Sequence, residues 1–406
     1  MILFLILFYF FEKPINKYIF NNSLSFSYYL IPLFTVCSTL FYMGADYFRY
    51  SGKIEFNKIC SLAYQYLHIF LIAVLFFYFS FSITLDILVL SLTLLSLLFS
   101  LIFYYRIIKE IGFHFKFFSI TKLKYEIKYG FPLVLNFIND YILMSSDRYL
   151  IVLYLNIALA GSYHSGYILG SLVLIFPKAL RLILTQYFSK SQDSGKLIDQ
   201  ATILNYCIRW TLILSVPFIF GSYLFSQPIL TILTNKTISS SVYKIVPIIS
   251  LSCVFFSMNM LFADILFVKQ KTKEIFKMNF YACIFNITSN IILMYFLKSL
   301  YVPAFTTLLS YLIAFIYGKH ITSKVVELKS QKKLIIQLLI CSSTMFIVGA
   351  IIKTAFNGNN DIPLITIKII ILIIFYFYTL HILKIFNPPE KEFFENFYIK
   401  IKNFIL

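Results

Sequence analysis

Long apolar stretches with short polar connections follow one another along the whole chain. A helix rises 1.5 Å per residue, so a bilayer core of about 30 Å takes roughly 20 apolar residues to cross. Twelve stretches approach or reach this length, and the first of them is the shortest. They lie near residues 2–12, 25–48, 58–80, 83–105, 128–155, 158–177, 203–226, 243–268, 275–297, 300–318, 334–352 and 363–386. The pattern predicts an all-α polytopic membrane protein with twelve transmembrane helices.

Lysine and arginine residues are concentrated in alternate gaps between these stretches. One set of gaps, together with the C-terminal tail, holds 26 of them, and the opposite set holds six. Cytoplasmic loops of membrane proteins carry such an excess, so the basic side is predicted to face the cytoplasm, with both termini on that side. Two longer basic loops, near 106–127 and 319–333, divide the helices into blocks of four, six and two.

The net charge of +18 changes this picture little, although so basic a chain would ordinarily suggest nucleic acid. The excess lies in short loops that would face anionic lipid headgroups, so we predict membrane lipid as a partner and no nucleic acid. The sequence contains no GxxxxGK[ST] loop, nucleophile elbow, HExxH or paired CxxC motif. It is therefore not expected to be an enzyme.

The fifth predicted helix is unusually polar. Asn136, Asp140 and Asp147 are spaced by four and seven residues, which places them on one helical face. Asn139 flanks that face, and Arg148 lies about 100° around the helix from Asp147. Charges in hydrocarbon either pair with one another or line a wet cavity. Two interpretations remain open, an internal Asp–Arg pair that only packs, or the wall of a transport pathway in which Arg148 contacts an anion.

Other ionisable residues lie inside the predicted helices or at their cytoplasmic ends. Arg209 and Lys368 are within a few turns of a helix end, from which long basic side chains commonly reach the membrane surface. Lys178 and Arg181 follow Pro177, where they either anchor the helix or attract phosphate. Asp264 adds an acid near the end of the eighth helix.

Four short motifs stand out in the chain. They are Tyr129-Gly130-Phe131-Pro132, Ser146-Asp147-Arg148-Tyr149, Gly161-Ser162-Tyr163 with Tyr167, and Tyr47-Phe48-Arg49-Tyr50-Ser51-Gly52-Lys53. These motifs resemble those of the Wzx-type polysaccharide flippases of the multidrug/oligosaccharidyl-lipid/polysaccharide exporter superfamily. The resemblance is specific around residues 126–190 and 47–53, and it extends over most of the chain by helix order.

The resemblance implies two lobes of six helices that face each other in a V around a cationic cavity. On this map residues 1–110 form a partial N-terminal lobe of four helices, which lacks the first two of the family. Residues 126–321 form a six-helix C-terminal lobe, residues 333–387 an additional helix pair, and residues 388–406 a cytoplasmic amphipathic tail.

The function implied is translocation of undecaprenyl-pyrophosphate-linked oligosaccharide units to the periplasmic leaflet of a bacterial inner membrane, for O-antigen or capsular polysaccharide. Other polysaccharide-assembly proteins are expected partners, and H⁺ or Na⁺ is a candidate coupling ion. The cations expected to bind pyrophosphate are Arg148, Arg209, Arg49, Lys178 and Arg181. The polar residues expected to line the cavity or couple an ion are Asn136, Asn139, Asp140, Asp147 and Asp264.

Two alternatives remain open. The first is an ion-coupled drug antiporter related to the MATE transporters, in which the acidic residues Asp140 and Asp147 bind a cationic substrate. The second is a truncated membrane protein that does not transport.

Overall fold

A computed structural model describes residues 27–51, 53–79, 85–112, 119–181, 188, 197–355 and 362–386. Within these ranges the chain is helical apart from short turns, and no strand occurs. Ten of the helices described there are long and apolar enough to cross a membrane. The predicted helix at 2–12 and the predicted tail at 388–406 lie outside the described residues.

The helices are numbered here in chain order. They are α1 (Ser27–Tyr50), α2 (Ile54–Phe79), α3 (Leu85–Ile111), α4 (Ile120–Tyr154), α5 (Ile157–Ser171), α6 (Leu197–Leu233), α7 (Lys236–Val242), α8 (Val246–Val268), α9 (Thr272–Leu297), α10 (Tyr301–Ser323), α11 (Lys332–Ala355) and α12 (Ile362–Ile382). Each of the eleven predicted stretches within the described ranges coincides with a long helix. The prediction of an all-α membrane protein is therefore confirmed.

Two helices differ from the sequence pattern in an informative way. Helix α4 begins at Ile120, earlier than expected, and runs for 35 residues. Its polar face lowers its mean hydropathy, so it is not among the ten most apolar helices. The sixth predicted stretch is interrupted after α5 by a 3₁₀ turn at Leu172–Leu174, before a further helical segment at 175–181. Pro177 has no N–H to donate to the carbonyl of Val173, which explains the interruption.

The chain divides into two compact units, Met1–Ser119 and Ile120–Leu406. The first contains α1, α2 and α3 around a largely aromatic core. Phe48 and Phe103 are fully buried, and their ring centroids are 5.5 Å apart. A Cβ at Gly44 would lie only 2.7 Å from Phe103, so glycine permits the close approach of α1 to α3.

The second unit contains α4 to α12. Helix α8 packs against α10, α6 and α5, while α9 packs against α4 and α10. A Cβ at Gly170 would lie 2.9 Å from Ile249, so α5 can approach α8 closely only because this residue is glycine. Helices α11 and α12 pack on α6, where the Tyr376 hydroxyl donates to the Ile213 carbonyl at 2.7 Å.

The outer surface of the helices is apolar, as lipid contact requires. On α12, Ile367, Ile371 and Ile374 are exposed, whereas Leu372 and Tyr376 are buried against the unit. An apolar surface of this extent would be unfavourable in water and is stable in hydrocarbon.

Lys368 is buried, although it lies near a helix end. Its side chain is 6% exposed. The face of α12 that carries Lys368 therefore packs within the second unit, and whether its ammonium group reaches the membrane surface stays a prediction.

Candidate functional site

A buried carboxylate lies at the centre of the second unit. Asp147 on α4 is 2% exposed. Its Oδ2 accepts hydrogen bonds from the Tyr163 hydroxyl at 3.0 Å and the Thr307 hydroxyl at 2.8 Å. Its Oδ1 accepts one from the Asn290 amide nitrogen at 2.8 Å. Three neutral donors from α5, α10 and α9 thus solvate this carboxylate in place of water.

A second set of hydrogen bonds fixes these donors. The Thr306 hydroxyl donates to Asn290 Oδ1 at 2.5 Å, and the Asn290 amide also donates to Asn286 Oδ1 at 3.3 Å. The Ser146 hydroxyl donates to Asn286 Oδ1 at 3.1 Å, and the Asn286 amide donates to the Thr307 hydroxyl at 3.3 Å. The side-chain amides of Asn286 and Asn290 each use their oxygen as an acceptor and their nitrogen as a donor. The network therefore determines the orientation of both amides.

Arg148 follows Asp147 in sequence but turns toward α5. Its guanidinium carbon lies 5.5 Å from the centroid of the Tyr167 ring, a cation–π contact. Its Nε is buried without a hydrogen-bond partner, as is Nδ1 of His164, which lies within electrostatic reach. The hydrogen bonds to Asp147 come from neutral groups, and Arg148 acts on this carboxylate electrostatically without a direct hydrogen bond.

A second polar cluster lies about two turns earlier on α4. The Asn279 amide on α9 donates to Asp140 Oδ1 at 2.7 Å and to Asn136 Oδ1 at 2.9 Å. The Asn136 amide donates to Asp140 Oδ2 at 3.2 Å. Asn139 is also buried, and its Nδ2 has no hydrogen-bond partner. This cluster therefore holds a carboxylate together with one unused amide donor.

Arg181 and Asp264 form an ion pair next to this cluster. The Nε of Arg181 lies 2.7 Å and 3.0 Å from the two carboxylate oxygens of Asp264. The Arg181 side chain is 43% exposed, whereas that of Asp264 is 3% exposed. Arg181 also acts electrostatically on Asp140, so one guanidinium lies between two acidic groups. Lys178, one turn earlier, is exposed.

The other two predicted cations occupy separate places. Arg209 on α6 donates through Nη2 to the Ile385 carbonyl just beyond α12, beside a ring contact between Trp210 and Phe386. Arg49 lies in the last turn of α1, in the first unit. The structure therefore brings Arg181 to Asp264 and Asn136 to Asp140, whereas Arg209 contacts the end of the additional helix pair.

Sequence reasoning found part of the buried network and missed the rest. Asn286 and Asn290, four residues apart, are visible in the sequence as a polar face that could join α9 to a neighbouring helix, whereas Asn279, seven residues before Asn286, was missed. The spacing of the three residues is the reverse of the spacing on α4. This spacing could have indicated that the two helices face each other. Thr307 and Tyr163 gave no comparable signal, because hydroxyl residues are common in membrane helices without a shared role.

An apolar cavity of about 330 Å³ lies elsewhere in the second unit. Its walls come from α6, α11 and α12 and from the end of α5, and they include Gly221, Phe225, Leu372 and Phe377. A Cβ at Gly221 would meet nothing within 4 Å, so the cavity continues up to the backbone of α6.

The described helices and the buried polar network of the second unit define a multi-pass helical membrane protein. Residues 132–292 match the MatE family, a segment that extends from α4 to α9 and contains both polar clusters. No curated protein matches the sequence.

Two solved structures share the fold. The chain is similar to the lipid II flippase MurJ in an inward closed conformation, with a TM-score of 0.63 and 19% identity over 88% of this chain and 72% of that one. It is also similar to an outward-facing multidrug resistance MATE family transporter of the MOP superfamily, with a TM-score of 0.56 and 13% identity over 69% of this chain and 65% of that one. The chain therefore has a MurJ- and MATE-like fold. The expected kinship with the Wzx-type flippases in particular stays a prediction.

Proposed function

We propose that this protein translocates an undecaprenyl-pyrophosphate-linked oligosaccharide from the cytoplasmic to the periplasmic leaflet of a bacterial inner membrane, for O-antigen or capsular polysaccharide. Similarity to a lipid II flippase supports a lipid-linked substrate. The observation that carries the proposal is Arg148, a cation inside the polar helix α4 whose Nε has no hydrogen-bond partner.

A pyrophosphate that crosses hydrocarbon must replace its lost hydration, because an unpaired charge is very costly there. A guanidinium meets this need well, since it remains charged and its N–H groups match the spacing of phosphate oxygens. The Tyr167 ring beside Arg148 positions the guanidinium without neutralising it. A transport cycle would expose this group in turn to the two sides of the membrane.

The membrane potential would favour this direction of movement. A potential that is negative inside drives anions outward with about 2.3 kcal/mol per charge per 100 mV. Two net negative charges on the pyrophosphate would gain roughly 5 kcal/mol at 100 mV.

The apolar cavity offers a place for the isoprenoid chain of the same substrate. Gly221→Leu would place a side chain at this cavity, and nothing lies within 4 Å of the added Cβ. Gly161→Leu is the matched control, since Gly161 is also helical with an open Cβ position but lies outside the cavity. We expect export to fall several-fold in the first variant only, as measured by surface polysaccharide at equal protein levels. Equal export in both variants would exclude the cavity as the binding place of the chain.

The Asp147 cluster is the proposed site of the coupling ion, H⁺ or Na⁺. Hydroxyl and amide groups can reverse their roles, so Thr307 and Tyr163 donate to the carboxylate when the site is empty and can present oxygen lone pairs to a cation when it is filled. Oxygen ligands with one negative charge suit a small hard cation.

A drug antiporter is the second candidate, because this chain has a MATE-like fold and carries two acidic residues, Asp140 and Asp147, on α4. The surroundings of Asp147 weaken this candidate, because three neutral donors already hydrogen-bond its carboxylate oxygens. The carboxylate therefore does not require an organic cation as a partner. A non-transporting membrane protein is the third candidate.

Complementation of a flippase-deficient strain separates the three candidates. Recovery of surface polysaccharide supports the flippase, drug resistance alone supports the antiporter, and neither supports the third. Arg148→Ala should abolish export, and Arg148→Lys should retain part of it.

Arg106→Ala is the matched control, because Arg106 also lies over an aromatic ring, that of Phe56, with 4.0 Å from its guanidinium carbon to the ring centroid. Normal surface glycan in the Arg148→Ala strain, at normal protein levels, would contradict the role of Arg148.

A further inference from the structure

A basic pocket lies in the second unit, and its lining includes none of the residues of the two polar clusters. Its volume is about 550 Å³, within the range of roughly 300–1,000 Å³ that ligand sites usually occupy. Its walls come from α4, from the turn between α8 and α9, and from the end of α10. Among the residues that line it are Lys128, Gln270, Lys271, Lys273, Glu274 and Lys324.

Positive charge dominates this pocket. Four lysines from three separate segments of the chain converge on it, and all four are exposed at its rim. The single carboxylate is engaged elsewhere, because Glu274 accepts from Lys277 Nζ at 3.0 Å and from the Tyr317 hydroxyl at 2.8 Å. Glu274 also acts electrostatically on Lys271 of the pocket, so the four lysines exceed the one carboxylate among the described lining residues.

The backbone of the turn is shaped around the same pocket. Gln270 adopts a left-handed conformation with φ of 55°. Lys271 is the N-cap residue of α9 and makes no side-chain capping hydrogen bond. A non-glycine residue in the left-handed region is uncommon, so the turn has a specific rather than a default shape.

We propose that this pocket binds the phosphate group of an anionic ligand. Phosphate chemistry fits because four ammonium groups surround one concave surface on the side predicted to be cytoplasmic. Two sources share this chemistry, the headgroup of an anionic phospholipid and a soluble phosphate. The inference does not depend on the transported substrate, since the pocket is distinct from the Arg148 region.

The experiment uses the purified full chain and measures binding rather than transport. One arm titrates nanodiscs of phosphatidylcholine with increasing phosphatidylglycerol, and the other titrates inorganic pyrophosphate at constant ionic strength. The test variant is Lys273→Gln with Lys324→Gln, which removes two charges from the pocket. The matched control is Lys332→Gln with Lys333→Gln, which removes two exposed charges from the start of α11, on the same predicted side but outside the pocket.

We expect the test variant to bind its phosphate ligand about 30-fold more weakly than the wild type, from roughly five-fold per lysine, and the control to change less than two-fold. Preference for phosphatidylglycerol without competition by pyrophosphate identifies the headgroup as the source. Competition by pyrophosphate identifies a soluble phosphate. Equal weakening in both variants would overturn the proposal, because the lysines would then act through their general positive charge and not through this pocket. The absence of binding in both arms would overturn it as well.

Discussion

Two arginines in the second unit differ in what surrounds them. Arg181 has its Nε against both carboxylate oxygens of Asp264, at 2.7 Å and 3.0 Å. Arg148 lies over the Tyr167 ring instead, with its Nε buried and unpartnered. Both belong to a protein whose helices lie in hydrocarbon, where an unpaired charge is costly. The first arginine forms a direct ion pair, whereas the second acts on Asp147 only electrostatically and leaves its Nε without a hydrogen-bond partner.

The difference indicates which arginine a protein would keep for a ligand. A cation that faces a carboxylate stabilises the fold and must break that pair before it binds anything else. A cation held only by an aromatic ring keeps its hydrogen-bonding capacity. The unfavourable free energy of the second arrangement is tolerated where function requires it.

The largest effect is expected when Arg148 is given a carboxylate partner. His164 lies within electrostatic reach of Arg148. In the variant His164→Glu, the glutamate should therefore form an ion pair with the Arg148 guanidinium, as Asp264 does with Arg181. We expect export to fall roughly 1,000-fold, equivalent to about 4 kcal/mol for a blocked charge pair. His164→Gln, which has similar size and no charge, should retain most of the export. The measurement is surface polysaccharide in a complemented strain, and full export by the glutamate variant would show that Arg148 does not contact the substrate.

Substitutions in the Arg181–Asp264 pair should instead lower the free energy of unfolding, and the loss should differ between the two residues. Arg181→Ala leaves a carboxylate that is 3% exposed without its partner, which should cost about 3 kcal/mol of unfolding free energy. Asp264→Ala leaves an arginine that is 43% exposed and can be hydrated, so the cost should be about 1 kcal/mol. Denaturant unfolding in detergent micelles measures both values.

The double variant of Arg181 and Asp264 sharpens this test. It should be more stable than Arg181→Ala alone, because it removes the isolated carboxylate. Lys178→Ala is the control and should change stability by less than about 0.5 kcal/mol, as an exposed residue usually does. Additive losses in the double variant would mean that the pair is not coupled.

The sequence predicted the helices far better than it predicted which residues of neighbouring helices contact one another. The length of each apolar stretch and the alternation of basic gaps depend only on local composition. Both follow directly from the thickness of the bilayer and from the excess of basic residues on its cytoplasmic side. The polar face of α4 was also visible, since Asn136, Asp140 and Asp147 repeat at helical spacing. What a single helix cannot show is which neighbour it meets, so Asp147 remained open to a pair with Arg148.

The cationic set illustrates the same limit. Arg148 and Arg209 look alike in sequence, as single arginines within apolar stretches. The structure separates them, because Arg209 binds the Ile385 carbonyl at the end of α12. That contact joins positions 176 residues apart, and no periodicity in either helix encodes it. The same holds for Thr307 on α10 and Asp147 on α4, which come together because both helices pack on α9.

A third test compares the two acidic residues of α4, which differ in the number of helices that supply their donors. Asp147→Asn loses one acceptor and adds two donors where three donors already converge, so about 2 kcal/mol of stability should be lost. Asp140→Asn should lose less than about 1 kcal/mol, because both its donors are amides that can flip to offer an oxygen. Thermal unfolding with and without sodium measures both.

Asp147→Asn should also abolish any dependence of stability or transport on the coupling ion, whereas Asp140→Asn should leave it. Leucine would be a poor replacement at either position, since it would leave all the donors unsatisfied. If the sodium or pH response of the wild type persisted in Asp147→Asn and disappeared in Asp140→Asn, the proposed ion site would move to the second cluster.

The smallest effect tests the ring that holds Arg148. Tyr167→Phe keeps the π face that the guanidinium lies against and should leave export nearly unchanged. Tyr167→Leu keeps an apolar side chain but removes the ring, and should weaken export about five-fold, equivalent to roughly 1 kcal/mol for a partly desolvated cation–π contact. The readout is the initial rate of export at equal protein levels. Because both replacements lack the hydroxyl, an equal loss in the two variants would assign the role to that hydroxyl rather than to the ring, and Arg148 would then be positioned by hydrogen bonding.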